Sequence, residues 1–74
     1  MGAKFVVMNI SGADISLVVP APHGSGRFGA SILIDRSTSL DILPYAGSIV
    51  ACRNIGEIIS LKARGLIEIF EVES

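Results

Sequence analysis

A chain of 74 residues with one cysteine, Cys52, and one histidine, His23, has no covalent or metal staple to lean on. One thiol closes no internal disulfide, and one Cys with one His falls short of the four ligands of a structural zinc site. Chains this short bury only about 60–65% of their unfolded surface, so the fold is marginal unless neighbouring subunits add to it. There is room for one hydrophobic core, and therefore for a single structural or interaction domain over 1–74. Half of the residues are apolar and 18% are charged, against about 25% charged in an average soluble domain. So much Ile, Val and Leu exceeds what one small core hides. The excess is expected in contacts between chains, as a homo-oligomer or a component of a larger assembly.

The charge pattern narrows the partners. The net charge is -1, and the basic residues Lys4, Arg27, Arg36, Arg53, Lys62 and Arg64 are spread along the chain, so no concentrated footprint for a phosphate backbone exists and no nucleic-acid partner is expected. The longest uncharged stretch, between Asp14 and Arg27, is broken by Pro20, Pro22 and Gly24, far from the roughly 20 continuous apolar residues of a membrane span. No small-residue cleavage pattern follows the apolar start, so no signal peptide is read and a reducing cytoplasm is the expected place of synthesis.

Short β-branched runs separated by turn residues give an α+β, strand-rich domain. Lys4–Ile10 (KFVVMNI) reads as a first strand and Ile15–Val19 (ISLVV) as a second. The four residues Ser11-Gly12-Ala13-Asp14 between them carry turn chemistry, which predicts an antiparallel hairpin of these two strands. Asn9-Ile10-Ser11 matches a glycosylation sequon by chance. Residues 20–29 (PAPHGSGRFG), with two prolines and three glycines, read as a loop long enough to be functional. Ala30–Ile34 is a third strand. Ser39–Leu43 alternates as a strand would, yet Ser39 also suits a helix cap; a short fourth strand is favoured, and Pro44 ends either reading.

From Gly47 to Arg53 a helical turn is expected, capped by Ser48, with Ile49, Val50 and Cys52 inward. Asn54 and Glu57 fit a capping box, which predicts a C-terminal helix over Ile55–Arg64. Gly65 sits where a left-handed residue stops that helix, with Leu66 packing back on Leu61 as in a Schellman motif. Leu66–Val72 returns as a final strand, covered on both faces by its apolar content. Glu68, Glu71 and Glu73 are placed to keep an exposed edge of that strand from pairing indiscriminately.

No residue set supports catalysis, a cofactor or a metal. Gly24-Ser25-Gly26-Arg27-Phe28-Gly29 matches the dinucleotide G-x-G-x-x-G string, but it leads into a strand instead of a helix and lacks the acidic ribose partner about 20 residues on. His23 has no arranged nucleophile and carboxylate, and Ser25 shares its Pro/Gly loop, a poor platform for catalytic geometry. Cys52, among isoleucines and valines, reads as a small buried hydrophobe, although Arg53 beside it would lower its pKa if both were exposed. Asp14, Asp35, Asp41, Glu57, Glu68, Glu71 and Glu73 are too scattered for a glycosidase pair or a calcium loop.

Two resemblances attach to these segments. Asn54–Val72, a short helix followed by Arg64-Gly65-Leu66-Ile67-Glu68, resembles the recognition helix and first wing strand of winged-helix DNA-binding domains, without their preceding helices. It would imply a small DNA-binding or regulatory module using helix 55–64. A longer resemblance joins Val6-Val7-Met8-Asn9-Ile10-Ser11 and Ile15–Val19, the Ser39–Leu43 step, and Leu61-Lys62-Ala63-Arg64-Gly65-Leu66-Ile67-Glu68-Ile69. Together they are similar to small virion proteins of tailed bacteriophages. That resemblance implies a non-enzymatic capsid decoration, cement or tail component. Such a protein is made in the host bacterial cytoplasm and carried in many copies on the virion, where its partners are other virion proteins and copies of itself.

Overall fold

The computed structural model describes residues 2–21 and 29–73. Its fold is α+β: strands β1 (Lys4–Asn9), β2 (Ile15–Val19), β3 (Ala30–Ile34) and β4 (Ser39–Asp41), three short helices α1 (Leu43–Ala46), α2 (Ile49–Arg53) and α3 (Gly56–Ala63), and a closing strand β5 (Ile67–Val72). The strands form two antiparallel sheets, one ordered β4-β1-β5 and the other β2-β3.

The first two strands are therefore not a hairpin. β1 pairs with β4 on one side and β5 on the other, and β2 pairs with β3. The turn residues 11–14 make a corner instead of a reversal, and the same happens on the returning arm between β3 and β4. The two pairings together are one long ribbon, bent in the middle, with the Val19–Ala30 pair at its far end. The bend has a covalent cause. In one sheet Met8 faces Ser39, and in the other Ile15 faces Ile34, so the outgoing arm takes seven steps where the returning arm takes five. Two extra residues on one side of an antiparallel pair bend the strand and increase its twist.

Positive φ angles at Gly12 (82°) and Ser37 (61°) let the two arms turn here. Asn9 fills the corner. It is the one buried polar side chain among the described residues. Its Nδ2 donates to the carbonyls of Ala13 (2.7 Å), Ile34 (3.0 Å) and Asp35 (3.3 Å), while its Oδ1 accepts from the Ser11 backbone N–H (2.9 Å) and hydroxyl (2.7 Å). Outside it, Asp14 Oδ1 accepts from the Arg36 backbone N–H at 3.0 Å, tying the two turns together.

A single core lies where the inner faces meet. Alternation along the strands delivers Phe5 and Val7 from β1, Leu17 and Val19 from β2, Ile32 and Ile34 from β3, and Ile67 from β5, and the helical segment adds Ile42, Ala46, Cys52, Ile55 and Ile58. Each large side chain so buried contributes about 1.5–3 kcal/mol.

In the helical segment the Ser48 cap of α2 and the stop of α3 are as expected, and the starts of α1 and α3 are not. Pro44 lies in the first turn of α1, where its missing N–H is no loss, so it opens a helix instead of ending a strand. Asp41, the last residue of β4, accepts from the N–H groups of Phe5 (3.0 Å) and Leu43 (3.1 Å) and so joins strand to helix. Ser48 caps α2, accepting from the Ala51 N–H at 3.1 Å; Cys52 is buried and Ile49 half-buried, but Val50 points outward, 63% exposed. α3 begins one residue late, at Gly56, with Ile55 as an N-cap that makes no side-chain bond. Asn54 instead ends α2, and Glu57 reaches away to accept from the Val18 N–H at 3.0 Å, bracing the outer edge of β2. The backbone of residue 55 is extended because α2 stops there, which leaves no room for the Asn54–Glu57 box.

The assignment of caps gives a direct test. Ser48→Ala is expected to lower stability by about 0.5–2 kcal/mol, the ordinary cost of a lost N-cap, and Asn54→Ala to cost much less. Chemical denaturation of the two variants side by side measures both.

The stop of α3 is a Schellman motif as expected. Gly65 has φ 74°, its N–H donates to the Lys62 carbonyl, and the Leu66 N–H donates to the Leu61 carbonyl, both at 3.0 Å. A Cβ at Gly65 would meet no atom within 4 Å, so any cost of substitution there is conformational. Gly65→Val is expected to lose at least the roughly 1–2 kcal/mol that an L-residue meets in the left-handed region, while Gly56→Ala, in equally open space within the helix, gains or stays neutral. Thermal melts separate the two. Gly24 and Gly26 lie outside the described residues.

Candidate docking surface

The final strand is half covered. Ile67 is buried and Ile69 half-buried on the inner face, but Phe70 and Val72 stand 50% and 46% exposed on the outer face, which corrects the expectation that both faces are covered. Register places Val6 beside Phe70 and Lys4 beside Val72, with Met8, 37% exposed, one pair further along. The outer face of this sheet is thus an apolar strip of Val6, Met8, Phe70 and Val72 bordered by Lys4 and Glu68. On the ribbon arm Val18 and Leu33 also face outward, at 53% and 62%. Strands alternate, so these side chains cannot turn inward without a register slip.

Inside the same strand, between the inner face of β1–β5 and α3, runs an open groove of about 630 Å³. Phe5, Ile58 and Ile69 form its base, Ile59 and Ala63 its helical wall, and Arg53, Lys62 and Glu71 its charged rim. Arg53 and Glu71 close one end as a bidentate pair: Nε donates to Oε2 at 3.0 Å and Nη2 donates to Oε1. The hydrogen bond from Arg53 holds the Glu71 carboxyl below its ordinary pKa, and the same contact raises the guanidinium. Lys62 meets no carboxylate at ion-pair distance among the described residues. Neither the pair nor the groove was evident from sequence. Arg53 and Glu71 are 18 residues apart, and only the return of β5 beside β1 brings them together.

Cys52 does not share this surface. Its thiol is fully buried, and its pKa is pushed up to about 11, first by burial and then by the charges of Asp41 and Glu71. Arg53, turned toward Glu71, does not activate it. Because the folded pKa stands above that of the unfolded thiol, its contribution to stability is whole below about pH 9 and is lost as pH rises towards 11. Denaturation midpoints should fall over that window, less so in Cys52→Ala after allowing for its own cavity. At pH 8 the native thiol is expected to react with a water-soluble reagent only as fast as the chain opens.

His23 and Ser25, the loop residues weighed for chemistry, lie outside the described residues, as does all of the glycine string except Gly29. Of the scattered acids, Asp14 pairs with Arg36 across the corner, Asp41 and Glu57 hold backbone N–H groups, and Glu71 binds Arg53. Each has a local partner, and they share no common site. No helix among the described residues is long and apolar enough to cross a membrane. Comparison with protein-family models, with curated proteins and with solved structures finds no match to this chain.

Proposed function

We propose that this chain is a non-enzymatic structural protein that works by assembling in many copies through protein–protein contacts. The observation that carries the reading is the amount of large apolar side chain left in water. Met8, Ile10, Val18, Leu33, Tyr45, Val50, Ile59, Phe70 and Val72 are all exposed in a chain of 74 residues, and part of that surface is one continuous strip on the outer face of a sheet. Soluble monomers rarely expose apolar patches beyond a few hundred Å². Covering such a patch returns roughly 25 cal/mol per Å² and stabilises a fold whose single cysteine allows no internal disulfide.

The proposed setting is the virion of a tailed bacteriophage, as a capsid decoration, cement or tail component. It rests on the resemblance of Val6–Ser11, Ile15–Val19, Ser39–Leu43 and Leu61–Ile69 to small virion proteins. Sedimentation and light scattering over a range of protein concentrations test the assembly reading, with association and a concentration-dependent melting temperature as the expected result. A chain that stays monomeric, folded and without affinity for any particle would overturn it. Steeply salt-dependent binding to duplex DNA would overturn it in favour of a nucleic-acid module using Lys62 and Arg64.

A further inference from the structure

We propose that two copies of this chain join β5 to β5 as antiparallel neighbours about a two-fold axis through Phe70, fusing their β4-β1-β5 sheets into one. The proposal deepens the assembly reading and rests on it.

The first support is an open backbone edge. The Asn9 N–H donates to Thr38 and the Phe5 carbonyl accepts from Ile42, so Phe5, Val7 and Asn9 bond toward β4. Their neighbours bond toward β5, as the Ile10 N–H does to the Leu66 carbonyl. Opposite Lys4, Val6 and Met8 stand Val72, Phe70 and Glu68, which use their N–H and C=O groups on β1. The backbone groups of Ile67, Ile69 and Glu71 therefore point away from the sheet, on the side where β5 has no neighbouring strand among the described residues. An edge like this is a template for another strand.

The second support is that the side chains of β5 select both the occupant and the register. A two-fold pairing must set outward-pointing residues against each other, so the axis passes through a residue. Centred on Glu68 or Glu71, it would oppose each carboxylate to its own copy. Centred on Val72, it would oppose Glu71 to Glu73. Like charges directly opposite are unfavourable. An axis at Ile67 leaves most of the strand unpaired. Ile69 and Phe70 remain, and the Phe70 register is the better of the two. It sets Phe70 on the second copy's Phe70, extending the outer apolar row from Val6 to Val6 across both chains, and it places Glu68 against Val72. On the inner side it brings the second copy's Glu71 opposite Ile69 and, one residue beyond the strand, Glu73 opposite Ile67, beside the groove whose rim carries Lys62. An acidic, apolar strand thus lies beside a groove whose mixed-charge rim presents Lys62, and each copy supplies both halves. The same acids that forbid other alignments make this one specific.

Phe70→Cys and Met8→Cys test the pairing in chains left to oxidise mildly without denaturant. The axis residue lies at a non-hydrogen-bonded position, where facing Cα atoms are about 4.5 Å apart, within disulfide reach. Phe70→Cys is expected to give a covalent dimer, whereas Met8→Cys, on the same face but one strand inward, is not. Phe70→Lys, at a half-exposed site the monomer tolerates, should raise the dimer dissociation constant about tenfold or more with the circular dichroism spectrum unchanged. A self-associating chain that is indifferent to Phe70→Lys, or that cross-links at Met8 and not at Phe70, overturns the β5 pairing and leaves the assembly reading standing. A chain that is monomeric at every concentration and binds no particle removes both.

Discussion

Asn9→Leu is expected to destabilise the protein by about 3 kcal/mol or more, although leucine is similar in size and better suited to a core. The carbonyls of Ala13, Ile34 and Asp35 and the N–H and hydroxyl of Ser11 all meet the Asn9 amide. Removing that amide leaves the Ser11 N–H without its acceptor and takes a donor from the buried Ile34 carbonyl, each worth about 1–3 kcal/mol if left unpaired, while the Ala13 and Asp35 carbonyls still accept from the Ser11 hydroxyl and from Thr38. The corner joins the two sheets, so the loss should appear as one cooperative shift of the urea midpoint and not as local fraying. Asn9→Asp separates hydrogen bonding from shape. A carboxylate there faces three carbonyl oxygens, which raises its folded pKa above the unfolded value. Stability should therefore be best below the ordinary aspartate pKa and be lost as pH rises through the folded one.

Phe5→Ala is expected to cost about 3–5 kcal/mol, the usual range for removing a buried aromatic ring. Phe5 is 1% exposed, at the centre of the three-stranded sheet, and it also forms the base of the groove beside α3. Its N–H and C=O bonds to Asp41 and Ile42 do not need the ring, so the loss measures packing alone. Phe70→Ala, on the outer face of the neighbouring strand, should cost far less in dilute protein and more where the chains associate. Denaturation of both variants at two protein concentrations distinguishes core from contact surface.

Alternation made the strands legible in sequence, and the glycine stop made the end of the last helix legible, while its expected cap did not form. The start and end of Ile15–Val19 and Ala30–Ile34 agree with the observed strands, and the Gly65 stop agrees in both of its hydrogen bonds. Pairing was not legible. Ser11-Gly12-Ala13-Asp14 suits a tight reversal and a corner equally well, and only the partner chosen by β1, which comes from the far end of the sequence, decides between them. Glu57 sits at the right spacing for a capping box, but spacing along the chain says nothing of the Val18 N–H, 39 residues away, that it serves instead. The docking surface was legible only as a surplus of apolar residues. Its location depends on which side of each strand lacks a neighbour, a property of the assembled sheets and not of any segment.

The two-residue excess at the corner has a consequence for how this chain tolerates changes of length. Strand faces repeat every two residues, so deleting one residue from 10–14 would invert β2 relative to β3's cover, sending Leu17 and Val19 to solvent and Ser16 and Val18 into the core. Deleting two would restore equal arms and straighten the ribbon while keeping every side chain on its own face. Length variation at this corner is therefore governed by parity: even changes alter the angle between the sheets, and odd changes destroy the core.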